Sequence, residues 1–350
     1  MEINDEFKSS WEQNNQRFGI NEKFPECVLQ ISIQIKEFME PENRIYQGAM
    51  GNAKGMVDAI KSYIACSEID NTEKFVSNIN LIIDYLLKIR LTSQVPLNTA
   101  FFIRQKLNKL NCNQFCIDDM KKLVADECDF HMTNYNLARD RIAKYMSARI
   151  IDRCEEYGSD SIVIGTHCHS GAVIEAIKRS KDHVRQVVVS KTEPEQQGVI
   201  TASKLLEKGI PVKFINLEQY GTEYRRVNMF LFGIDAVSVE GIVLNKAGTR
   251  MIATLAHTKE LPVYFLGETY KFARNTLMGG LIRVERRDVT KKLLYNHLGI
   301  DLEKYVSTGL LNTDFSAFDT TKPEFYNSIV SERGFLPMMD AFEREWKDYL

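Results

Sequence analysis

The sequence lacks the features that mark several classes of protein. It contains no uninterrupted apolar run of about 18 residues, so we expect no membrane-spanning helix and no membrane partner. Its polar first residues contain no apolar signal core. Lys and Arg total 45 and Asp and Glu total 47, a formal net charge of −2. This balance lacks the positive excess typical of a nucleic-acid-binding protein, so we expect no nucleic-acid partner.

The cysteines also lack the pattern of a disulfide or metal framework. There are seven of them, they are scattered along the chain, and no CxxC motif occurs. This pattern is typical of reduced thiols in a cytoplasmic protein, which is the location we expect. The chain has 350 residues, of which 44% are hydrophobic, so it is long enough for about two domains with cores of their own.

The first part of the chain shows the spacing of helices. Apolar residues recur every three or four positions in EKFVSNINLIIDYLLKIR, and Asn71 or Thr72 is placed to cap this helix. A second helical pattern extends over residues 136–157 and is expected to end at the glycine that follows. Between the two, Pro96 is expected to interrupt the chain before a further helix. We therefore predict an N-terminal helical domain over residues 1–150.

From Ser161 onward, short apolar runs alternate with helical patterns. The runs include SIVIGTH, RQVVVSK, IPVKFIN, MFLFGIDAVS and LPVYFLGET, and patterns such as GAVIEAIKRS and GVITASKLLEKG lie between them. Such alternation predicts parallel strands joined by crossover helices, and strands that are apolar throughout are buried on both faces. The predicted fold class is therefore α/β, with the helical domain followed by a Rossmann-like open parallel-sheet domain over residues 151–350.

Ligands of open α/β sheets bind beyond the carboxyl ends of the strands. In this sequence, that rule selects residues 165–170, 233–246 and 267–271. We therefore expect the reactive side chains in these three segments.

The first segment places a cysteine between two histidines. Ser170 is placed to cap the following helix, so Cys168 would lie near a helix N-terminus beside His167 and His169. That setting favours a lowered thiol pKa and a reactive thiolate. A half-buried thiol in a strand-to-helix turn explains the sequence equally well. A metal site is disfavoured, because one His-Cys-His triplet without a second cluster gives poor tetrahedral coordination.

The other two segments carry an acid and two lysines. Asp235 follows an apolar strand, where desolvation would raise its pKa and suit it to donate or accept a proton; a turn cap is the alternative. Lys246 and the backbone amides after it are a candidate phosphate site. Lys271 is a second cation at a strand end. Either lysine alone is typical of solvated surface.

A run of small residues in the helical domain, residues 47–55, leads into a helix. Its backbone could approach an anion closely, or its glycines could serve tight helix packing. It is not a P-loop, because the GK[ST] ending is absent.

Several motifs in fixed order carry a family resemblance over residues 45–334. They are GTHCHSGAVIEAIK, TEPEQQGVITASKLLEKGIPV, GIDAVSVEGIVLNKAGTRMIATLAH, GETYKF and FDTTKPEFYNSIVSERG. Together they resemble the initiation factor 2B alpha/beta/delta subunits and their sugar-phosphate isomerase relatives. The HCHS and ETYKF segments look most like the ribose-1,5-bisphosphate isomerases, with the 5-methylthioribose-1-phosphate isomerases as relatives.

The resemblance implies aldose-to-ketose isomerisation of a sugar 1-phosphate, without cofactor or metal. Asp235 would be the acid and base for ring opening, and Cys168 would move a proton between C2 and C1 of the sugar. The segment from 151 would be both the catalytic and the dimerisation domain of a homodimer or hexamer. The candidate substrate-binding residues are Gln47, Gly48, Ala49, His167, His169, Asn245, Lys246 and Lys271.

Three departures from the isomerase pattern concern substrate binding. Arginines of the family are replaced here by Gln47, Leu97 and Glu193. A charge-assisted hydrogen bond to phosphate contributes roughly 1.5–3 kcal/mol. We therefore expect either that other residues bind the substrate phosphate or that the substrate carries fewer phosphates or another group. The alternative function is a non-catalytic initiation factor 2B-like regulatory subunit that senses a nucleotide or a sugar phosphate. The Cys168 and Asp235 pair favours the enzyme.

Overall fold

The computed structural model describes residues 2–20, 22–37, 45–89, 93–110, 112–284, 286–288 and 303–336. The chain divides into two compact units, Met1–Asn136 and Leu137–Leu350. The longest helix begins in the first unit and ends in the second. No helix among the described residues is both long enough and apolar enough to cross a membrane.

The first unit is built from helices. They are α1 (Glu2–Phe18), α2 (Glu26–Lys36), α3 (Gly48–Cys66), α4 (Thr72–Leu87), α5 (Gln94–Asn108) and the first part of α6 (Ile117–Tyr157). The side chain of Asn71 caps α4 by accepting a hydrogen bond from the backbone N–H of Lys74 at 2.8 Å, as predicted. The apolar stripe of α4, which includes Phe75, Ile79 and Ile82, is fully buried in the core of this unit.

Two helix boundaries differ from the sequence prediction. Pro96 does not interrupt the chain: it lies in the first turn of α5, where a missing N–H costs no helical hydrogen bond. Helix α6 begins at Ile117, well before the predicted residue 136. Its first half mixes polar and aromatic residues and shows no clean amphipathic period, so the pattern revealed only the second half.

The second unit contains the predicted parallel sheet. Its strands are β1 (Ile162–His167), β2 (Val184–Ser190), β3 (Val212–Ile215), β4 (Met229–Gly233), β7 (Val263–Leu266), β11 (Ser328–Ser331) and β12 (Gly334–Leu336). Their order is β12-β11-β7-β4-β1-β2-β3, and every pairing is parallel except β11 with β12. The buried runs of β1 and β4 confirm the prediction of strands covered on both faces, whereas β3, at the edge of the sheet, is only partly buried.

Helices and small sheets connect these strands. The helices are α7 (Gly171–Arg179), α8 (Gln197–Leu206), α9 (Tyr220–Glu223), α10 (Thr249–His257) and α11 (Glu303–Ser307). Strands β5 (Ala236–Val237), β6 (Val243–Lys246) and β10 (Phe318–Thr321) form an antiparallel sheet in the order β10-β6-β5, and β8 (Arg286–Asp288) pairs with β9 (Asp314–Ser316). The predicted fold class, helices followed by a mostly parallel α/β sheet, is confirmed.

The strand order locates a ligand crevice. Strands β3, β2, β1 and β4 follow one another across the sheet, and β7 and β11 continue beyond β4. This is the Rossmann arrangement, whose order reverses between β1 and β4. Ligands of such sheets bind beyond the carboxyl ends of the strands at that reversal. Cys168 follows β1 and Asp235 follows β4, so the two candidates flank the switch point.

Candidate active site

Cys168 lies in a strained turn between β1 and α7. Its φ angle is +66°, a left-handed conformation that is uncommon for residues other than glycine. Ser170 caps α7, accepting a hydrogen bond from the backbone N–H of Val173, as the sequence predicted. Gly233, at the end of β4, makes room for this turn, because a Cβ there would lie 2.7 Å from the Ser170 Cβ. The end of β4 is therefore shaped to receive the cysteine turn.

The pKa of the Cys168 thiol is raised, whereas the sequence favoured a lowered one. This pKa is raised to about 11, mainly by burial and also by the negative charges of Asp235 and Glu195, against the opposing charge of Lys246. The expected depression by a helix N-terminus and two histidines is wrong, because the thiol is buried and neither histidine is charged. The thiol is therefore neutral in this environment, and a thiolate requires a change in it.

His167 is a structural tie at the end of β1. One ring nitrogen, Nε2, lies 2.9 Å from the carbonyl oxygen of Ala247, and Nδ1 lies 2.6 Å from the Ser190 hydroxyl. A carbonyl only accepts, so Nε2 carries the proton and Nδ1 accepts from Ser190. Burial lowers the pKa of His167 to about 4, which keeps the ring neutral. Both nitrogens are engaged within the protein, so a role of His167 in substrate binding stays a prediction.

His169 acts on the cysteine turn through Thr201. The Thr201 hydroxyl donates to the carbonyl oxygen of Cys168 at 2.8 Å, and His169 Nδ1 lies 3.2 Å from the same hydroxyl. Since the hydroxyl proton is used on the carbonyl, Nδ1–H of His169 donates to Thr201. Burial and the nearby Lys204 lower the pKa of His169 to about 4. This ring therefore supports the backbone of Cys168 rather than activating its sulfur.

Lys246 ends β6 and is buried against a carboxylate. Its Nζ lies 3.0 Å from Glu195 Oε2, and the two side chains are only 4% and 6% exposed. The same Nζ lies 5.3 Å from the ring centroid of Phe318. Beside it, Asn245 is buried, and among the described residues its amide nitrogen Nδ2 has no hydrogen-bond partner. A buried donor without a partner is costly, so this amide is suited to a ligand oxygen.

Lys271 is likewise paired and buried. Its Nζ lies 3.0 Å from Glu268 Oε2, with side-chain exposures of 9% and 2%. Gly267 admits the lysine stem, because a Cβ there would lie 3.1 Å from Lys271 Cδ and 2.9 Å from Ile234 Cβ. The lysine therefore runs beside the residue that precedes Asp235. Neither lysine is the solvated surface cation that the sequence left open.

The helix N-terminus after Lys246 is already capped. The backbone N–H groups of Gly248 and Arg250 donate to the carboxylate of Asp319, at 2.7 Å from Gly248 and 3.1 Å from Arg250 to the same oxygen. Burial raises the pKa of Asp319 to about 6 against the lowering effect of these hydrogen bonds. The expectation that these amides hold a phosphate conflicts with this arrangement, because an acid from β10 occupies them.

The candidates in the first unit lie at the start of α3. Gln47 is the N-cap residue, and Gly48 and Ala49 form the first turn. Two glycines of this segment serve close packing: a Cβ at Gly51 would lie 2.3 Å from the backbone of Tyr46, and a Cβ at Gly55 would lie 2.5 Å from the side chain of Ile35. The structure thus supports the packing interpretation for those glycines, and binding by residues 47–49 stays a prediction.

The remaining sites of arginine replacement lie on the surface. Leu97 is in α5 and is 39% exposed. Glu193 is exposed and pairs with Lys191 at 2.6 Å. Among the described residues, no group of three or more His, Cys, Asp or Glu is arranged to hold a metal ion.

Sequence reasoning missed the residues that surround the candidates. Thr192, Gln197 and Thr201 contact Cys168, while Glu195 and Glu268 hold the lysines. The segment TEPEQQGVITASK was recognised only as part of a family motif. Its position after β2, at the same sheet edge, was the signal that could have selected it.

The fold and the site define an α/β protein of Rossmann strand order with a buried cysteine and an aspartate at the switch point. The chain belongs to the Initiation factor 2 subunit family, whose sequence model matches residues 46–338. This match confirms the resemblance drawn from the motifs.

Named relatives give the family context. The chain is 27% identical over 321 residues to a ribose 1,5-bisphosphate isomerase of Thermococcus kodakarensis, covering 90% of this chain and 92% of that protein. It is 34% identical over 227 residues to a ribose 1,5-bisphosphate isomerase of Pyrococcus furiosus, covering 63% and 67%. A crystal structure of 5-methylthioribose 1-phosphate isomerase from Pyrococcus horikoshii has the same fold, with a TM-score of 0.69, 19% identity, and coverage of 92% and 88%.

Proposed function

We propose that this chain is an aldose–ketose isomerase that acts on a sugar 1-phosphate, with a ribose-1,5-bisphosphate-like substrate and a ribulose phosphate product. The names of its relatives support the reaction class. The observation that carries the proposal is the placement of Cys168 and Asp235 after adjacent strands at the switch point. The Asp235 charge acts on the pKa of the thiol, so the two groups share one electrostatic environment.

The proposed reaction needs one proton shared by this pair. As substrate binds, the Cys168 proton passes to Asp235, which leaves a thiolate and a carboxylic acid. Asp235 then protonates the ring oxygen as its bond to C1 breaks. The thiolate removes the proton from C2 and returns it to C1, while Asp235 takes the proton of the C2 hydroxyl as the ketone forms. Both groups are then ready for their next cycle, and the phosphate on C1 is retained.

Substrate binding would use the buried polar groups beside the pair. Asn245 offers its amide Nδ2, which has no partner in the part of the chain that the structure describes, and Lys246 and Lys271 supply positive charge. Because Glu195 and Glu268 already neutralise these lysines, phosphate must compete with two carboxylates. This charge balance, together with the replaced arginines, favours a substrate whose hydroxyl groups contribute much of the binding energy.

A phosphorus NMR time course tests the activity. The protein is offered α-ribose 1,5-bisphosphate, α-ribose 1-phosphate and 5-methylthioribose 1-phosphate in separate samples. Conversion of an anomeric phosphate into a primary phosphate identifies the substrate. The assay uses the full chain in the assembly that it forms in solution, which we propose to be a homodimer or hexamer.

Two substitutions test the assignment of the pair. Cys168→Ser and Asp235→Asn should each reduce kcat by about 10²–10⁴-fold, the range for loss of a general acid or base. Cys154→Ser and Asp160→Asn make the same changes elsewhere in the second unit and should retain activity. Circular dichroism and thermal melts establish that all four variants fold. Near-wild-type turnover by either site variant would refute the mechanism.

The regulatory alternative has one structural observation in its favour. Glu195 and Glu268 neutralise Lys246 and Lys271, and Asp319 caps the amides that follow Lys246. The groups expected to bind phosphate are therefore already paired within the protein. If no sugar phosphate is converted while a nucleotide or sugar phosphate binds by calorimetry, the chain is a binding subunit rather than an isomerase.

A further inference from the structure

One segment of chain, the turn after β2 and the first two turns of α8, makes three hydrogen bonds to Cys168. The backbone N–H of Cys168 donates to Thr192 Oγ1 at 2.9 Å, and its carbonyl accepts from Thr201 Oγ1 at 2.8 Å. The third contact is to the side chain itself: Sγ–H donates to Gln197 Oε1 at 2.9 Å. The two threonines fix the strained backbone, and the side chain of Gln197 contacts the sulfur itself.

The position of Gln197 is set by its neighbours. It is the first residue of α8 and is buried. Gly198 follows it, and a Cβ at that position would lie 1.9 Å from the carbonyl oxygen of Ser190. Gln196 precedes it in a left-handed conformation, with φ +55°. The start of α8 thus packs closely against the end of β2. This packing fixes the backbone of Gln197 and places its side-chain amide beside Cys168.

A carboxamide can serve both forms of a cysteine. Its oxygen accepts from a thiol, as observed, and its NH₂ donates to a thiolate after the amide turns over about its last torsion. We infer that Gln197 is a positioning residue that holds the Cys168 side chain in both protonation states. This inference rests on the proposed function, in which the sulfur gains and loses a proton in every cycle.

The charged groups around Cys168 make this role specific. Lys246 favours the thiolate, whereas Asp235 and Glu195 oppose it, and the backbone N–H of His169 points to the sulfur. A hydrogen bond donated to a charged thiolate is stronger than one accepted from the weak S–H donor. Removing the amide donor should therefore raise the thiol pKa, and replacing it with a carboxylate should raise it further.

The test measures the reactivity of the Cys168 sulfur as well as the isomerase activity. Gln197→Glu keeps the length and the acceptor but loses the donor and adds a negative charge; Gln197→Met keeps the length without either. We measure the rate at which iodoacetamide modifies Cys168 in full-length protein between pH 7 and 9, by peptide mass spectrometry. The rate should fall at least tenfold in Gln197→Glu, equivalent to one unit of pKa, and by a smaller factor in Gln197→Met.

The exposed neighbour supplies the matched control. Gln196→Glu adds the same charge one residue away and should leave the rate of Cys168 modification within about twofold of wild type. In the isomerase assay, Gln197→Glu should lower kcat at least tenfold with KM changed less than threefold, and part of the loss should be recovered at higher pH.

Two results would overturn the inference. One is a Cys168 modification rate in Gln197→Glu that equals or exceeds the wild-type rate, and the other is an equal loss in Gln196→Glu. If Gln197→Glu does not fold, the same comparison between Gln197→Met and wild type decides. Because alkylation needs no substrate, it also separates failure of this inference from failure of the proposed isomerase activity.

Discussion

At the scale of single residues, the protonation state of Cys168 is set by its burial and by charged groups that folding brings to it. The Ser170 cap and the positions of Cys168 and Asp235 after strands could be predicted from the sequence. The sign of the thiol pKa shift could not, because it depends on burial and on charges from Glu195 and Lys246. Those residues are distant in sequence and are brought to Cys168 only by folding.

Gly198 gives a prediction at this scale. A methyl group there would overlap the Ser190 carbonyl oxygen, at 1.9 Å from its Cβ, so α8 must shift away from β2. We expect Gly198→Ala to lower the free energy of unfolding by about 1–3 kcal/mol and to reduce kcat by displacing Gln197. Urea unfolding and the isomerase assay measure the two effects.

A second glycine serves as the control for that experiment. Of the residues that the structure describes, none lies within 4 Å of a Cβ added at Gly221. Gly221→Ala should change stability by less than about 1 kcal/mol and is expected to stabilise. Equal destabilisation by the two alanines would contradict the packing argument for Gly198.

At the scale of helices and strands, local patterns predicted the type of element better than its ends. The short apolar runs and the capped helix α4 were predicted correctly. The proline in α5 and the first half of α6 were not, because a first-turn proline and a mixed helix surface leave no clear periodic signal. The capping of α10 by Asp319 was also missed, because this acid comes from β10, far along the chain.

Asp319 gives the prediction at this scale. Its oxygens hold the N-terminus of α10, yet burial raises its pKa to about 6, so the charge itself is unfavourable there. Asp319→Asn keeps an acceptor without the charge and should be at least as stable as wild type at pH 7. Asp319→Leu removes the acceptor and should cost about 1–2 kcal/mol. Urea unfolding at pH 7 distinguishes these expectations, and equal stabilities of the two variants would contradict them.

At the scale of the whole molecule, alternation of strands and helices predicted a parallel sheet but not its strand order. The order that places β4 beside β1 arises from packing across the sheet, and it is this order that sets Cys168 and Asp235 at the switch point. The candidate residues are divided between the two units: residues 47–49 belong to the first, and the other candidates belong to the second. The family match extends over both units.

Burial of uncharged histidines predicts how the stability of the whole chain depends on pH. Burial lowers the pKa of His131, His167 and His169 to about 4 from the ordinary 6.5. The folded chain is therefore most stable, as far as these rings are concerned, above pH 6.5. Its stability falls as the pH drops from 6.5 toward 4, because in this range the unfolded chain binds protons that the buried rings do not. Asp319 acts in the opposite sense, since its raised pKa adds stability as pH falls below about 6.

The net effect can be measured. Between pH 7 and 5, each of the three histidines should cost about 2 kcal/mol and Asp319 should return about 1 kcal/mol, so these four groups should lower the free energy of unfolding by about 5 kcal/mol. Urea unfolding at pH 7, 6 and 5 gives this slope. His131→Phe, which removes one titrating ring from the first unit, should reduce the fall by about 2 kcal/mol. Because the slope is compared rather than the stability at one pH, a general destabilisation by the phenylalanine does not affect the result. A slope unchanged in His131→Phe would mean that this ring is protonated equally in the folded and unfolded chain.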